Sequence, residues 1–279
     1  MKTRILNLLL PVLALAAVAC DDSFEFGTPT HDLDEGTDLS AGTTQVLWKN
    51  KGAVYPTKRI HNFRIPGLVR TPHKLIAFCE AREETGSTNK DGGDIDLVYR
   101  VSTDDGQTWG PSQVLFDDED NTCGNACAVW TESGRLVVLC CWQRTGATED
   151  KFKSNYFTFE ESQRYACHVV CFYSDDEGAT WSGPFKWFTE DRNSNPDRYL
   201  WTGFFKAGPG HAIQLKTGEH KGRILVGCDH KYQIFGGTAV PADSEDENYY
   251  GSHIAYSDDN GESWHMLELD EELHYGNEC

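Results

Sequence analysis

Three octapeptides, STDDGQTW (102–109), SDDEGATW (174–181) and SDDNGESW (257–264), share the pattern Ser-x-Asp-x-Gly-x-Thr/Ser-Trp and begin 72 and 83 residues apart. A pattern this specific, returning at long intervals, marks a repeat architecture in which each unit buries its faces against its neighbours. Each copy follows an alternating apolar run (DIDLVYRV, ACHVVCFY, SHIAY) and precedes another (PSQVLF, PFKWF, HMLEL). The octapeptide therefore reads as a turn between two strands, with Asp and Gly supplying the turn chemistry and Trp packing beneath it. A further hairpin lies upstream of each: GLVRTPHKLIAFCE, CAVWTESGRLVVLCCW and HAIQLKTGEHKGRILVGC. Four antiparallel strands per unit predict an all-β fold of propeller blades, over roughly 63–116, 127–188 and 211–269. Propellers close with about four to eight blades. Three units are therefore expected to form an open arc prone to aggregation, and the chain is expected to be C-terminally incomplete. The leading strand TTQVLWKN (43–50) supports that expectation, because such a strand commonly completes a last blade.

The charge balance narrows the partners. With 44 acidic against 25 basic side chains the formal charge is −19, and the basic residues are scattered, so nucleic acid is excluded as a partner. Any anionic ligand must be held by a few placed arginines. Acidic stretches such as DDEDN (117–121) and DSEDEN (243–248) lack the spacing of a calcium loop, so they read as surface and no metal is expected.

Residues 1–20 begin with Lys2 and Arg4, continue through ILNLLLPVLALAAVA and end at Cys20. The run is too short for a spanning helix and closes on the small residues of a signal-cleavage site. Its AVAC end resembles a bacterial lipobox, which implies a lipidated Cys20, a membrane anchor and a place in the bacterial cell envelope. Residues 21–42, acidic and rich in Gly, Ser, Thr and Pro, read as a flexible tether ahead of the folded part, 43–279. Nine further cysteines form no C-x-x-C pair, and Cys123/Cys127 and Cys167/Cys171 each share a strand face. Buried core thiols are expected, with disulfides open in an oxidising envelope.

The segments FRIP (63–66), AFCEAR, KDGGDIDLVYR, GNACAV, AGPGHAIQL and GNEC, together with the three octapeptides, closely resemble the exo-α-sialidases (neuraminidases), in which the octapeptides are known as Asp-boxes. The resemblance runs from about Thr43 to Cys279 and implies a six-bladed propeller that removes terminal sialic acid from glycoproteins, glycolipids and oligosaccharides without a cofactor. By that resemblance Arg64 is one of three arginines on the sialic acid carboxylate. The chemistry suits it, since guanidinium is planar, permanently charged and able to pair in bidentate fashion. Glu80 is implied to orient that arginine and Arg82 to line the pocket; a solvated Glu80/Arg82 pair is the plain alternative. Asp91 is implied to be the general acid and base on a mobile, glycine-flanked loop, with Asp94 as the alternative. Asn125 is implied to lie near the N-acyl and glycerol side of the sugar, or else is a turn asparagine, and Gly208-Pro209-Gly210 reads as turn chemistry.

Glu278 is implied to draw the proton from a nucleophilic tyrosine, the sialidase exception among retaining glycosidases. The second and third arginines and that tyrosine have no counterpart within positions 1–279, so this chain alone is expected to be weak or inactive. A trans-sialidase would share these groups, and a non-catalytic propeller that binds glycans or proteins is the competing class.

Overall fold

The computed structural model of the chain describes residues 38–39, 42–43, 45–49, 60–83, 91–146, 167–186, 199–234 and 249–267. The chain divides into two units, Met1–Val46 and Leu47–Cys279. In the first, β1 (Asp38–Leu39) pairs antiparallel with β2 (Gly42–Thr43), where the sequence reads as the end of the tether.

The second unit contains three successive four-stranded antiparallel blades, and no helix occurs among the described residues. Blade one is β3 (Ile60–Arg70), β4 (Leu75–Glu83), β5 (Ile95–Ser102) and β6 (Gln113–Phe116). Blade two is β7 (Thr122–Trp130), β8 (Leu136–Gln143), β9 (Cys167–Ser174) and β10 (Ser182–Lys186). Blade three is β11 (Tyr199–Gln214), β12 (Ile224–Ile234), β13 (Tyr249–Ser257) and β14 (His265–Met266). Short parallel contacts between innermost strands join blades two and three, at Gly210/Cys127 and His211/Ala128.

The second strand of a blade is apolar almost throughout because both of its faces are covered. Along β4, Ile76 and Phe78 point into the core between blades one and two, while Cys79 and Ala81 join Ile60, Val98, Trp48 and Phe63 on the other side. A second core, between blades two and three, gathers Val137, Leu139 and Cys141 against Phe205, Val226 and Trp264. Eight described cysteines are free and buried, so the expectation of core thiols holds for them.

Two innermost strands begin upstream of where the sequence pattern starts them, at Thr122 and Tyr199 instead of 127 and 211. Gly124-Asn125 and Gly208-Pro209-Gly210 are strand bulges, marked by register shifts between Gly124 and Cys127 and between Ala207 and Ala212. The reading of Gly208–Gly210 as a turn is thus corrected. Glycine and asparagine serve bulges for the same reason that they serve turns, since both tolerate left-handed backbone. The third innermost strand, β3, bulges at the same place, between Arg64 and Gly67.

The three Asp-boxes have one geometry. The serine hydroxyl donates to the aspartate Oδ1 at 2.7–2.8 Å and accepts the glycine N–H at 2.8–2.9 Å. The aspartate accepts the Thr/Ser N–H on Oδ1 and its hydroxyl on Oδ2, for example at 2.8 and 2.6 Å from Thr180 to Asp176. Asp105, Glu177 and Asn260, with φ of 56°, 57° and 59°, turn the chain ahead of each glycine. At this end the blades are also tied together. Glu177 of the second box accepts the His73 N–H and the Thr71 hydroxyl from blade one, and Arg135 of blade two reaches Asp175 in its own box and Glu262 in the next.

Candidate active site

The strands that start at the boxes end at the opposite rim. Leu75 pairs with box residue Ser102, whereas Arg82, seven residues further along β4, pairs with Ile95. Seven residues of strand place the two ends about 23 Å apart.

At this rim the bulge of β3 carries Arg64. Its neighbour Ile65 has φ of 56°, which for a β-branched residue costs about 1–3 kcal/mol and persists only where the surroundings enforce it. The buried Cys79 thiol donates to the Arg64 carbonyl at 3.2 Å, fixing the strand beneath the bulge. Burial, reinforced by the adjacent Glu80 carboxylate, pushes that thiol up to about 12, so it stays neutral.

Glu80 and Arg82 stand two residues apart on one strand face and are 3% and 5% exposed, so the pair is buried and the solvated alternative is set aside. Glu80 Oε2 accepts from Arg82 Nε at 3.0 Å and Nη2 at 2.6 Å, and its Oε1 accepts the Asn125 backbone N–H at 3.0 Å. Both oxygens are thereby engaged, and neither reaches Arg64. The expectation that Glu80 orients Arg64 is corrected: although Arg64 stands opposite Glu80 across β3 and β4, the i, i+2 spacing brings the Arg82 guanidinium alongside, and the carboxylate steadies Arg82.

Arg82 Nη1 donates to Asp91 Oδ1 at 2.8 Å, and Arg64 Nη1 lies 3.5 Å from the same oxygen. Burial opposes the Arg82 charge, but the Glu80 and Asp91 carboxylates outweigh it and raise its pKa above the ordinary arginine value. The Arg64 and Asp91 side chains are 40% and 68% exposed, so the solvent-facing part of the cluster is one guanidinium and one carboxylate. Asp94 and Asp96 are buried, and the Asp94 carbonyl accepts the Glu83 N–H. Asp91 is the accessible carboxylate of the three.

The sequence reading missed the groups that hold this arrangement in place. A Cβ on Gly124 would lie 2.1 Å from Glu80 Oε1, so glycine is required there by close approach. The Thr122 hydroxyl accepts the Gly93 N–H at 2.9 Å and donates to the Gly93 carbonyl at 2.7 Å, pinning the base of the Asp91 loop. Gln143 Nε2 lies 3.5 Å from the Asp91 carbonyl. The available signal was the Gly-Asn pair interrupting an apolar strand. Asn125 itself has φ of 56° and contributes its backbone N–H to Glu80; it is a bulge residue, not a turn residue. Glu278 and Cys20 lie outside the described residues. Among the described residues no cluster of His, Cys, Asp or Glu could hold a metal ion.

Residues 73–279 match the BNR repeat-like domain family. The exo-alpha-sialidase of Aspergillus fumigatus is 29% identical over 247 residues, covering 80% of this chain and 55% of that protein. The sialidase of Paraclostridium sordellii is 28% identical over 266 residues, covering 92% and 57%, and human sialidase-3 is 30% identical over 212 residues, covering 73% and 44%. The chain thus spans about half the length of the curated relatives it matches. Among solved structures, Hadza microbial sialidase Hz136 aligns with a TM-score of 0.54 at 23% identity, over 74% of this chain and 37% of that one. A leech intramolecular trans-sialidase aligns with a TM-score of 0.54 at 16% identity, over 80% and 46%. These two likenesses concern the fold.

Proposed function

Because the chain belongs to the BNR repeat-like domain family and its curated relatives are sialidases, we propose that it serves an exo-α-sialidase that releases terminal sialic acid from glycoconjugates with retention at the anomeric carbon. The observation that carries this reading is the convergence of Arg64 and Arg82 on one oxygen of Asp91 at the rim of blade one.

In the proposed reaction the sialic acid carboxylate engages Arg64. The 3.5 Å separation from Asp91 is an ion pair without a close hydrogen bond, so the guanidinium is available to exchange partners. Asp91 stays tethered through Arg82, which Glu80 holds from beneath, and it protonates the leaving glycosidic oxygen before activating water in the second step. Glu278 takes the proton from a tyrosine nucleophile, which is neutral until a base activates it. No cofactor enters these steps.

The test compares wild type with Asp91→Asn on a poor alkyl leaving group and on an activated aryl sialoside. Acid catalysis contributes about 10²–10⁴-fold, so kcat/KM should fall by that order on the poor substrate and far less on the activated one. Equal losses on both would remove Asp91 from its role. Absence of hydrolysis, with equal affinity for sialic acid and its dehydrated analogue, would favour a glycan-binding module, since only a catalytic site should prefer the analogue.

A further inference from the structure

Asp91 is followed by Gly92 and Gly93, and glycine leaves the backbone more conformational freedom than any other residue. An acid that must meet a glycosidic oxygen at hydrogen-bond distance cannot use that freedom, since a displacement of about 1 Å can cost roughly 10²-fold in rate. Gly93 has φ of 148°, a backbone that residues with side chains rarely adopt, and nothing lies within 4 Å of where its Cβ would stand. No close approach therefore requires this glycine; its conformation does. What holds that conformation comes from the neighbouring blade.

The stretch from Gly93 to Ile95 runs between β4 of blade one and β7 of blade two, since Ile95 pairs with Arg82 on one side and with Thr122 on the other. Its hydrogen bonds alternate in the same way. The Asp94 carbonyl accepts the Glu83 N–H at 3.0 Å within blade one, whereas the Ile95 N–H reaches the Asn121 carbonyl at 3.3 Å across the joint. The Thr122 hydroxyl, also across the joint, accepts the Gly93 N–H at 2.9 Å and donates to the Gly93 carbonyl at 2.7 Å. One hydroxyl thus grips both polar groups of a single glycine, using its donor and its acceptor at once. Thr122 is buried, and its partner across β7 and β8 is Gln143, whose Nε2 lies 3.5 Å from the Asp91 carbonyl. The Asp91 carboxylate is held by Arg82 of blade one, and the backbone that carries it is held from blade two.

We propose that Thr122 is a positioning residue for proton transfer: its hydroxyl locks Gly93 and so sets the Asp91 carboxyl at the leaving oxygen, without touching substrate. The inference rests on the proposed role of Asp91 as general acid. It makes that step depend on the joint between blades one and two and not on blade one alone.

Thr122→Val in the full chain tests it, because valine keeps the branched shape and removes the hydroxyl. Exchange of the Gly93 amide, followed residue by residue by NMR, should rise about tenfold or more. A displaced acid harms only substrates that need it, so kcat/KM should fall about ten- to a hundredfold on an alkyl sialoside and less than about threefold on an activated aryl sialoside. Thr122→Ser, which keeps the hydroxyl, should restore both. Equal losses on the two substrates, or no faster exchange at Gly93, would overturn the proposal, since a packing defect alone slows both substrates alike. Asp91→Asn measured alongside separates the two possible failures. A selective loss in that variant but not in Thr122→Val leaves Asp91 as the acid and removes Thr122; equal losses in Asp91→Asn remove both. If Thr122→Val also speeds exchange throughout β8, Gly93→Ala decides by the same substrate comparison, because its methyl group meets no neighbour and acts only on the backbone. Where turnover is too slow to compare, exchange at Gly93 decides alone.

Discussion

Glu80 is a buried carboxylate in which each oxygen has a defined donor, and everything around Asp91 depends on that arrangement. Breaking one side of such a group leaves charge buried without its partner, which is costlier than never having placed it there. Gly124→Ala does this without touching a titratable residue. The new methyl group would force Glu80 off the Asn125 N–H, and the Arg82 contacts leave the carboxylate little freedom to yield. The expected loss is about 1–3 kcal/mol, seen as a fall in Tm of roughly 2–10 °C for a chain of this size. An unchanged Tm would mean that Glu80 relaxes freely. At this scale the sequence was legible where a motif named a side chain, as for Arg64, Arg82 and Asp91. It was silent on Gly124, because a glycine needed for close approach looks the same in a string as one needed for a turn.

The Asp-box is the most regular element of the chain, and its aspartates are held as anions by their neighbours. The Thr108 hydroxyl and N–H, with the Ser102 hydroxyl, lower the Asp104 pKa to about 2, and the equivalent groups around Asp176 and Asp259 lower theirs as well. A carboxylate whose pKa is depressed on folding adds stability above its unfolded value, near 4, and that contribution disappears as pH falls through the folded value. Asp104→Asn should therefore lower Tm at pH 7, with the difference from wild type shrinking as pH falls from about 4 and vanishing below about pH 2. A difference that stays at its full pH 7 size down to pH 2 would assign the effect to shape and not to charge. The boxes and their flanking strands were readable from the text because a turn repeats locally. The bulges in β7 and β11 were not, since the pairing that makes Gly124 or Gly208 part of a strand comes from a neighbour distant in sequence.

For the whole molecule the joints between blades are the cohesive structure, and they contain most of the thiols. Cys127, Cys141, Cys171 and Cys228 lie in the second joint, and Cys123 and Cys140 in the first. Burial pushes Cys127 and Cys171 up to about 12 and raises Cys140 and Cys141 well above the ordinary thiol value, so the reactive thiolate is scarce. The eight described thiols should react with iodoacetamide at pH 8 only after denaturant is added, in one cooperative step followed by mass. Early labelling of the second-joint group alone would show that blade three detaches independently. That the chain folds as packed blades was clear from the three boxes; which faces meet, and which are left bare, required the register. The same register sets the arginine rim and the boxes at opposite ends of the strands. At the box end, turns are fastened to neighbouring strands by guanidiniums, Arg70 to Asp105, Arg135 to both Asp175 and Glu262, and Arg223 to Asp258. The fastenings that repeat along the chain thus sit a strand's length, about 23 Å, from the arginine cluster, so a change of charge at one end is largely screened from the other.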